Sequence, residues 1–298
     1  MILGLPEIEL FEKGHRSCAG CGAAIAMRHC LKAAGKNTIV VHATGCMEVA
    51  STPYPETAWK VPWIHGAFEN AAAIASGVDK ALLKLGKRDG INVLAIGGDG
   101  ATFDIGFQAL SGALERGQNF CYICYDNGAY SNTGIQRSGA TPKYAATTTS
   151  PAGKKIHGKQ EFKKPMPLIV AAHNVYTATA NIAFPHDFIA KVRKALSIKG
   201  PSYVQVFTPC VTGWAYPSGL TVEVARLAYE SNVTPLYEIE NGLLKFSRKP
   251  AKKIPVREYL KLQGRFKHLN EQEIKEVQEH VDSEYKKLLE LEKSKVRI

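Results

Sequence analysis

Nothing in this chain restricts its fold more than Ala95–Ile96–Gly97–Gly98–Asp99–Gly100–Ala101–Thr102, read with the run that leads into it. Ile91–Asn92–Val93–Leu94–Ala95–Ile96 is short and almost continuously apolar, the pattern of a parallel strand covered on both faces. It ends in three glycines around one aspartate, and the residues from Asp104 to Leu114 read as a helix. Glycines let a backbone approach a ligand, and a helix N-terminus attracts phosphate. A second strand, Phe120 to Tyr125, delivers Asn127 where the next loop begins. Asp99 and Asn127 are hard oxygen donors of the kind magnesium takes, and diphosphate supplies further oxygens. Two strand ends on one sheet can hold such a pair side by side. A Gly-Asp-Gly turn alone is also an ordinary structural device, so the pairing with Asn127 carries the reading.

The chain has 298 residues, 45% hydrophobic and 22% charged, enough for one large α/β domain with extensions or for two ordinary domains. Met1 to Glu7 lacks the basic region and apolar core of a signal peptide, and no apolar run is long enough to cross a bilayer. The expected compartment is the cytoplasm, with no membrane partner. The formal net charge of +11 comes with local basic densities at 154–155, 159–164, 245–253 and 261–267. No RNA- or DNA-binding signature accompanies them, so no nucleic acid is expected. They read as a solvated surface or as a docking face for an acidic electron carrier.

Seven cysteines in such a compartment are not disulfides. Cys18-x2-Cys21 stands just ahead of Ala23–Ala34, a stretch rich in helix formers that stops at Gly35, and N–H groups there favour thiolate. Such a pair is a redox dithiol, half of a zinc site or half of an iron–sulfur site. The strand Asn37–Ala43 ends in Thr44–Gly45–Cys46, and Ser202–Phe207 ends in Thr208–Pro209–Cys210. Cys18, Cys21, Cys46 and Cys210 thus fall in loops or at strand ends, the ligand-binding edge of an open α/β sheet. Four thiolates fit zinc or a [4Fe–4S] cluster, and spacing does not choose. Cys30 in a helix, and Cys121 and Cys124 in a strand, read as small core residues.

Val61–Gly66 reads as an irregular approach to a helix over 68–85, with His65 either facing the site or serving as a structural histidine. Residues 135–167 form a long polar loop, which points to function, disorder or an interface. Leu168–Ala172 and Tyr176–Ala180 read as strands, and Pro185–Leu196 as an amphipathic helix. From Leu220 the chain reads as helical to its end, over 222–230, 256–262 and 271–291. The division expected is a cofactor domain over 1–220 and a helical extension over 221–298, packed on that domain or on a partner.

A Gly-Asp-Gly turn followed by an Asn at the next strand end resembles the thiamine diphosphate fingerprint. The larger set is more specific: Ser17–Cys18–Ala19–Gly20–Cys21–Gly22, Ala43–Thr44–Gly45–Cys46, Gly98–Asp99–Gly100, the run from Tyr125 to Gly134, Ala140–Thr141–Pro142 and Ser202–Cys210, in that order. Together these resemble the β subunits of the 2-oxoacid:ferredoxin oxidoreductases, most of all the multi-subunit pyruvate enzymes. Leu260–Lys261–Leu262–Gln263–Gly264–Arg265–Phe266 also looks like that subfamily.

The resemblance implies an α/β thiamin-diphosphate-binding fold, mostly parallel with helices on both faces, and specifically the diphosphate-binding half. It implies that Cys18, Cys21, Cys46 and Cys210 hold a [4Fe–4S] cluster, and that Asp99, Asn127 and the Ala129 carbonyl bind Mg2+. Gly45, Cys46, His65, Gly98, Gly100 and Ala101 would border the cofactor, and Asn132 the substrate. Some single-chain relatives carry an acidic residue where Ala23 stands here, so no acidic contact is assigned to it. The implied reaction is the oxidative decarboxylation of a 2-oxoacid, pyruvate with coenzyme A giving acetyl-CoA and CO2, with electrons leaving singly for ferredoxin. An α subunit would complete the cofactor site and supply its activating glutamate, and γ and δ subunits would carry ferredoxin-like clusters. Oxalate or a branched-chain 2-oxoacid are alternative substrates, and a non-redox decarboxylase subunit with structural zinc is an alternative enzyme.

Overall fold

The computed structural model describes residues 7–298; residues 1–6, part of the stretch read for targeting signals, lie outside them. In chain order the elements are α1 (Gly22–Ala34), β1 (Thr38–Ala43), α2 (Cys46–Ser51), β2 (Trp63–Gly66), α3 (Ala71–Lys84), β3 (Asn92–Gly98), α4 (Phe107–Glu115) and β4 (Cys121–Asp126). There follow α5 (Met166–Ala171), β5 (Tyr176–Asn181), α6 (Pro185–Ser197), β6 (Ser202–Phe207), α7 (Val211–Trp214), α8 (Thr221–Glu230), β7 (Leu236–Glu240), β8 (Leu243–Arg248), α9 (Val256–Leu260) and α10 (Glu271–Ser294).

The strands form one sheet in the order β2-β1-β3-β4-β6-β5-β7-β8. From β2 to β5 every pairing is parallel; β7 joins β5 antiparallel, and β7 and β8 form a hairpin. Alternation along the strands explains their unbroken apolar runs. Val40, Leu94, Ile96, Ile123 and Val204 face the layer of α1, α6 and α8. Val41, Val93, Ala95, Tyr122 and Tyr203 face the layer of α3, α4 and α5. Both faces are covered, so the strands are mostly apolar and buried polar groups such as Gln205 and His42 are held by hydrogen bonds. The consequence for function is positional. Four adjacent parallel strands, β1, β3, β4 and β6, put their C-terminal ends on one edge, and Cys46, Asp99, Asn127 and Cys210 follow those ends.

Four local expectations are corrected. Leu168–Ala172 is not a strand: Met166–Ala171 is a helix with Pro167 in its first turn, where its missing N–H costs nothing, and a short apolar run does not distinguish the two states. Trp63–Gly66 is an edge strand; Ile64 is exposed, so no alternation announced it. The helix expected from Asp104 begins at Asp99 and widens into a π-turn over Ala101–Ile105. The stretch after Leu220 is not helical throughout, because β7 and β8 extend the sheet. Their turn is Asn241–Gly242, both at positive φ, an Asn-Gly hairpin signal masked by the outward lysines around it.

Candidate functional site

Asp99 is fully buried at the end of β3, and Asn127 lies beside it beyond β4. The Asn127 backbone N–H donates to Asp99 Oδ1 at 3.1 Å, and Ser138 Oγ donates to Asp99 Oδ2. Burial first, and then the neighbouring Asp126 carboxylate, push the Asp99 carboxyl up to about 7. Among the described residues it has hydrogen-bond donors but no ion-pair partner, a setting in which a bound cation would favour the charged carboxylate.

The Asn127 side chain shows where that cation fits. Its Oδ1 accepts from Ser131 Oγ at 2.8 Å. The same atom faces two further acceptors, Asp99 Oδ1 at 3.1 Å and the Ala129 carbonyl oxygen at 2.9 Å. Turning the amide over would let its NH2 group, with two hydrogens, donate among these oxygens in a metal-free chain. With the oxygen inward, Asn127 Oδ1 has the Asp99 and Ala129 oxygens as its two close neighbours. Octahedral Mg–O bonds of about 2.0–2.1 Å place adjacent ligand oxygens about 2.9 Å apart. The measured spacings match those of adjacent corners of that octahedron.

Residues outside the motif hold the cradle. Thr141 Oγ1 donates to the Gly128 carbonyl at 2.6 Å, fixing a glycine whose φ is +71°. Tyr130 OH donates to the Gly100 carbonyl at 3.0 Å, and its ring occupies the space a Cβ at Gly100 would need. Gly100 is therefore required for packing against the loop, not only for ligand approach. Trp214 Nε1 donates to the Asn127 carbonyl at 2.7 Å. Asp126, buried next to Asn127, is held by Lys163 and by Gln205 Nε2 at 2.8 Å. Ser138, Thr141 and Lys163 lie in the long loop, which is thus fastened over the site. Their sequence neighbourhood has no periodicity that would single them out.

Three of the four candidate cysteines start helices. Cys21 is the N-cap of α1, Cys46 opens α2, and Cys210 caps α7, accepting from the Gly213 N–H at 3.3 Å. Cys18 is exposed and its Sγ lies 3.6 Å from Thr212 Oγ1. The Cys18–Cys21 loop is clamped to the strand β6 end: Thr221 Oγ1 donates to the Gly20 carbonyl at 2.6 Å and Gly22 N–H to the Pro209 carbonyl at 3.3 Å. Gly20, at φ +74°, leaves no room for a Cβ against Ser218. All four thiols border one cleft of about 540 Å³. Burial, then Cys210, Cys21 and Cys18, push the Cys46 thiol up to about 12, so the four sulfurs sense one another. Cys30, Cys121 and Cys124 are buried core residues away from that cleft, as expected.

The donor set was tested against both metals it suggests. Tetrahedral zinc needs Zn–S bonds of about 2.3 Å and sulfurs about 3.8 Å apart. Among the described residues no three His, Cys, Asp or Glu side chains gather around such a point. A cubane cluster binds each thiolate at a different iron, so its sulfurs stand wider apart, and a roomy cleft bordered by four of them suits it.

A second, smaller pocket is bordered by Gly45, Cys46, Gly98, Gly100, Ala101, Asn127, Ala129 and Asn132. Cys46, Asn127 and Asn132 border both it and the cysteine cleft, so the two share a wall. His65 borders neither. Its Nε2 makes a 2.7 Å hydrogen bond with Thr44 Oγ1, and Thr44 lines the small pocket. Glu48 Oε2 lies 3.9 Å from the same nitrogen. Ala23 lines the cysteine cleft and brings no charge to it.

The basic clusters are partly absorbed internally, Lys163 by Asp126, Lys164 by Asp104, Lys249 by Glu292 and Lys253 by Asp282. No helix among the described residues is long and apolar enough to cross a membrane.

Comparison with known proteins is consistent with this geometry. Residues 43–206 match the family described as thiamine pyrophosphate enzyme, C-terminal TPP binding domain. The pyruvate synthase subunit PorB of Methanocaldococcus jannaschii is 58% identical over 97% of this chain and 99% of its own. The ketoisovalerate oxidoreductase subunit VorB of Pyrococcus abyssi is 46% identical over 97% of this chain and 95% of its own. The 2-oxoglutarate:ferredoxin oxidoreductase from Magnetococcus marinus, solved with 2-oxoglutarate, coenzyme A and succinyl-CoA bound, is similar in fold, with a TM-score of 0.57 over 75% of this chain and 82% of that one at 22% identity.

Proposed function

The chain belongs to the thiamine pyrophosphate enzymes, in the family of 2-oxoacid:ferredoxin oxidoreductase β subunits that includes pyruvate synthase subunit PorB, and on that premise we propose that it oxidatively decarboxylates pyruvate. In this reading coenzyme A takes the acetyl group, CO2 is released, and the electrons go to ferredoxin through a [4Fe–4S] cluster. The observation that carries it is Asn127 Oδ1 facing both Asp99 Oδ1 and the Ala129 carbonyl, at the spacing of adjacent magnesium ligands, on a wall shared with the four-cysteine cleft.

Thiamine diphosphate supplies the nucleophilic carbon and electron sink for decarboxylation, and an iron–sulfur cluster accepts electrons one at a time. Asp99, Asn127 and Ala129 hold the Mg2+ that neutralises the diphosphate. Gly45, Gly98, Gly100 and Ala101 border it with backbone, and His65 orients Thr44 on the same side. Cys18, Cys21, Cys46 and Cys210 hold the cluster, and the N–H groups at the starts of α1, α2 and α7 favour their thiolates. Asn132, on both cavity walls, contacts the substrate where the two chemistries meet. The dry, buried setting of Asp99 strengthens every charge interaction made there.

The chain carries the diphosphate half of the site. An α subunit completes it with the aminopyrimidine half and the activating glutamate, and γ and δ subunits relay electrons. Residues 1–220 are read as the cofactor domain and 221–298 as its extension. The assembly is placed in the cytoplasm, without nucleic-acid or membrane partners.

A branched-chain 2-oxoacid is the second substrate reading, favoured by the likeness to a ketoisovalerate oxidoreductase subunit. Co-expressing the complex and measuring viologen or ferredoxin reduction with a panel of 2-oxoacids tests both. Reduction with pyruvate and coenzyme A as the preferred pair supports the proposal; a colourless, zinc-containing, iron-free protein overturns it.

A further inference from the structure

Leu260–Phe266 looks like part of the family pattern, yet it lines neither the small pocket nor the cysteine cleft; Arg265 Nη1 reaches the magnesium loop from behind, 3.2 Å from where a Cβ on Gly128 would stand. Within that stretch Arg265 is only 5% exposed, in a short 3-10 turn. The guanidinium Nε donates to Gln263 Oε1 at 2.9 Å and Nη2 to Tyr259 OH at 3.3 Å. Its Cζ lies 3.8 Å from the centre of the Trp214 ring. Both hydrogen-bond acceptors are neutral, and no ion pair among the described residues includes this arginine. The carboxylate that influences it, Asp126, already takes Lys163 and Gln205. A buried guanidinium without a carboxylate is costly unless an anion sits within reach.

Trp214 indicates which anion. It closes the short helix that Cys210 caps, its N–H donating to the Cys210 carbonyl at 2.9 Å, while its indole nitrogen donates to the Asn127 carbonyl. Arg265 therefore stacks on the one ring that joins the fourth cysteine to the magnesium loop, and burial is what bears on its charge, with Cys210 among its electrostatic partners.

We propose that Arg265 is the fixed counter-charge of the iron–sulfur cluster, a positioning residue that raises the cluster's reduction potential through Trp214 and Cys210. The inference rests on the proposed cluster. One-electron reduction adds one negative charge to the cluster and its four thiolates, and a nearby buried cation stabilises that reduced form more than the oxidised one. Because Arg265 itself is buried, salt screens its effect less than that of a surface charge.

The test uses the full chain, purified anaerobically, so that a single cluster is read. Iron per chain and an EPR-monitored redox titration are measured for the wild type, Arg265→Gln, Arg265→Lys and Gln263→Glu. Arg265→Gln removes the charge. Gln263→Glu leaves the arginine stacked and neutralises it in place, which serves if the first variant does not fold. With iron content unchanged, each lowers the ratio of reduced to oxidised cluster about tenfold at the wild-type midpoint, a shift of about 59 mV to more negative potential. Arg265→Lys keeps the charge and stays within about twofold of wild type. Unchanged potentials in Arg265→Gln or Gln263→Glu at full iron overturn the inference and leave the cluster standing. A wild-type chain without iron overturns the cluster reading itself.

Discussion

Asn127 Oδ1 and Asp99 Oδ1 stand 3.1 Å apart beyond the ends of two adjacent parallel strands, acceptor facing acceptor. On the proposed reading the amide turns over and donates without a cation, and both oxygens point at the cation when it is bound. The orientation of Asn127 therefore reports whether the cradle is loaded. Asp99→Asn removes the charge and lets two amides satisfy each other. Mn2+ affinity, read by EPR as a stand-in for Mg2+, falls about a hundredfold or more, while the metal-free thermal midpoint stays at or above wild type because a costly buried carboxylate is gone. A midpoint several degrees lower would contradict this account.

Ser138 acts one layer out. Ser138→Ala deletes the hydroxyl that donates to Asp99 Oδ2 and touches no metal itself. Loss of an outer-shell partner lowers metal affinity by about 10–100-fold, measurable in the same Mn2+ titration, with little change in secondary structure.

Cys210→Ala and Cys30→Ala separate ligand from core. The first removes a thiol from the cleft and abolishes the visible iron–sulfur absorption of anaerobically purified protein. The second leaves iron content at the wild-type value, since Cys30 is buried inside α1, and costs about 1 kcal/mol of stability from lost packing. Equal iron loss in both would remove the distinction.

Trp214→Phe keeps the aromatic body and deletes the donor to the Asn127 carbonyl. A buried acceptor left unsatisfied costs about 1–3 kcal/mol, read from the urea midpoint of the full chain.

Lys159 is 2% exposed, its ammonium held only by the Thr141 and Phe162 carbonyls, and burial pulls it down from 10.5 to about 8. Below pH 8 both folded and unfolded chains carry the proton, and stability does not change through this group. Between pH 8 and 10.5 the unfolded chain binds more protons than the folded one, so stability rises with pH, by about 3 kcal/mol at most. Lys159→Met removes that rise, which denaturant midpoints at pH 7.5 and 10 would reveal as a difference between the two chains.

How much of this was legible beforehand depended on burial. Strands covered on both faces, such as Asn92–Gly98 and Ser202–Phe207, must be apolar throughout and announce themselves, and the polar residues just past them, Asp99, Asn127 and Cys210, then stand out as site candidates. The edge strand Trp63–Gly66 and the hairpin strand Leu243–Arg248 each have a solvent side, and their exposed residues hid them. Leu168–Ala172 reads as a strand although Met166–Ala171 is a helix, because so short an apolar run carries no period. Ser138, Trp214 and Arg265 escaped for another reason: each acts through a contact far along the chain, which no local pattern encodes.

The long loop over the site is tied to the last helix. Tyr144 OH donates to Glu276 at 2.5 Å, Lys143 pairs with the same carboxylate, His157 meets Glu273 at 2.7 Å, and Phe162 stacks on His280 with ring centres 3.6 Å apart. Because Glu273, Glu276 and His280 stand on successive turns of one helix, the loop between residues 143 and 162 is gripped along its length by a single rigid rod, and any displacement of α10 moves that whole stretch together.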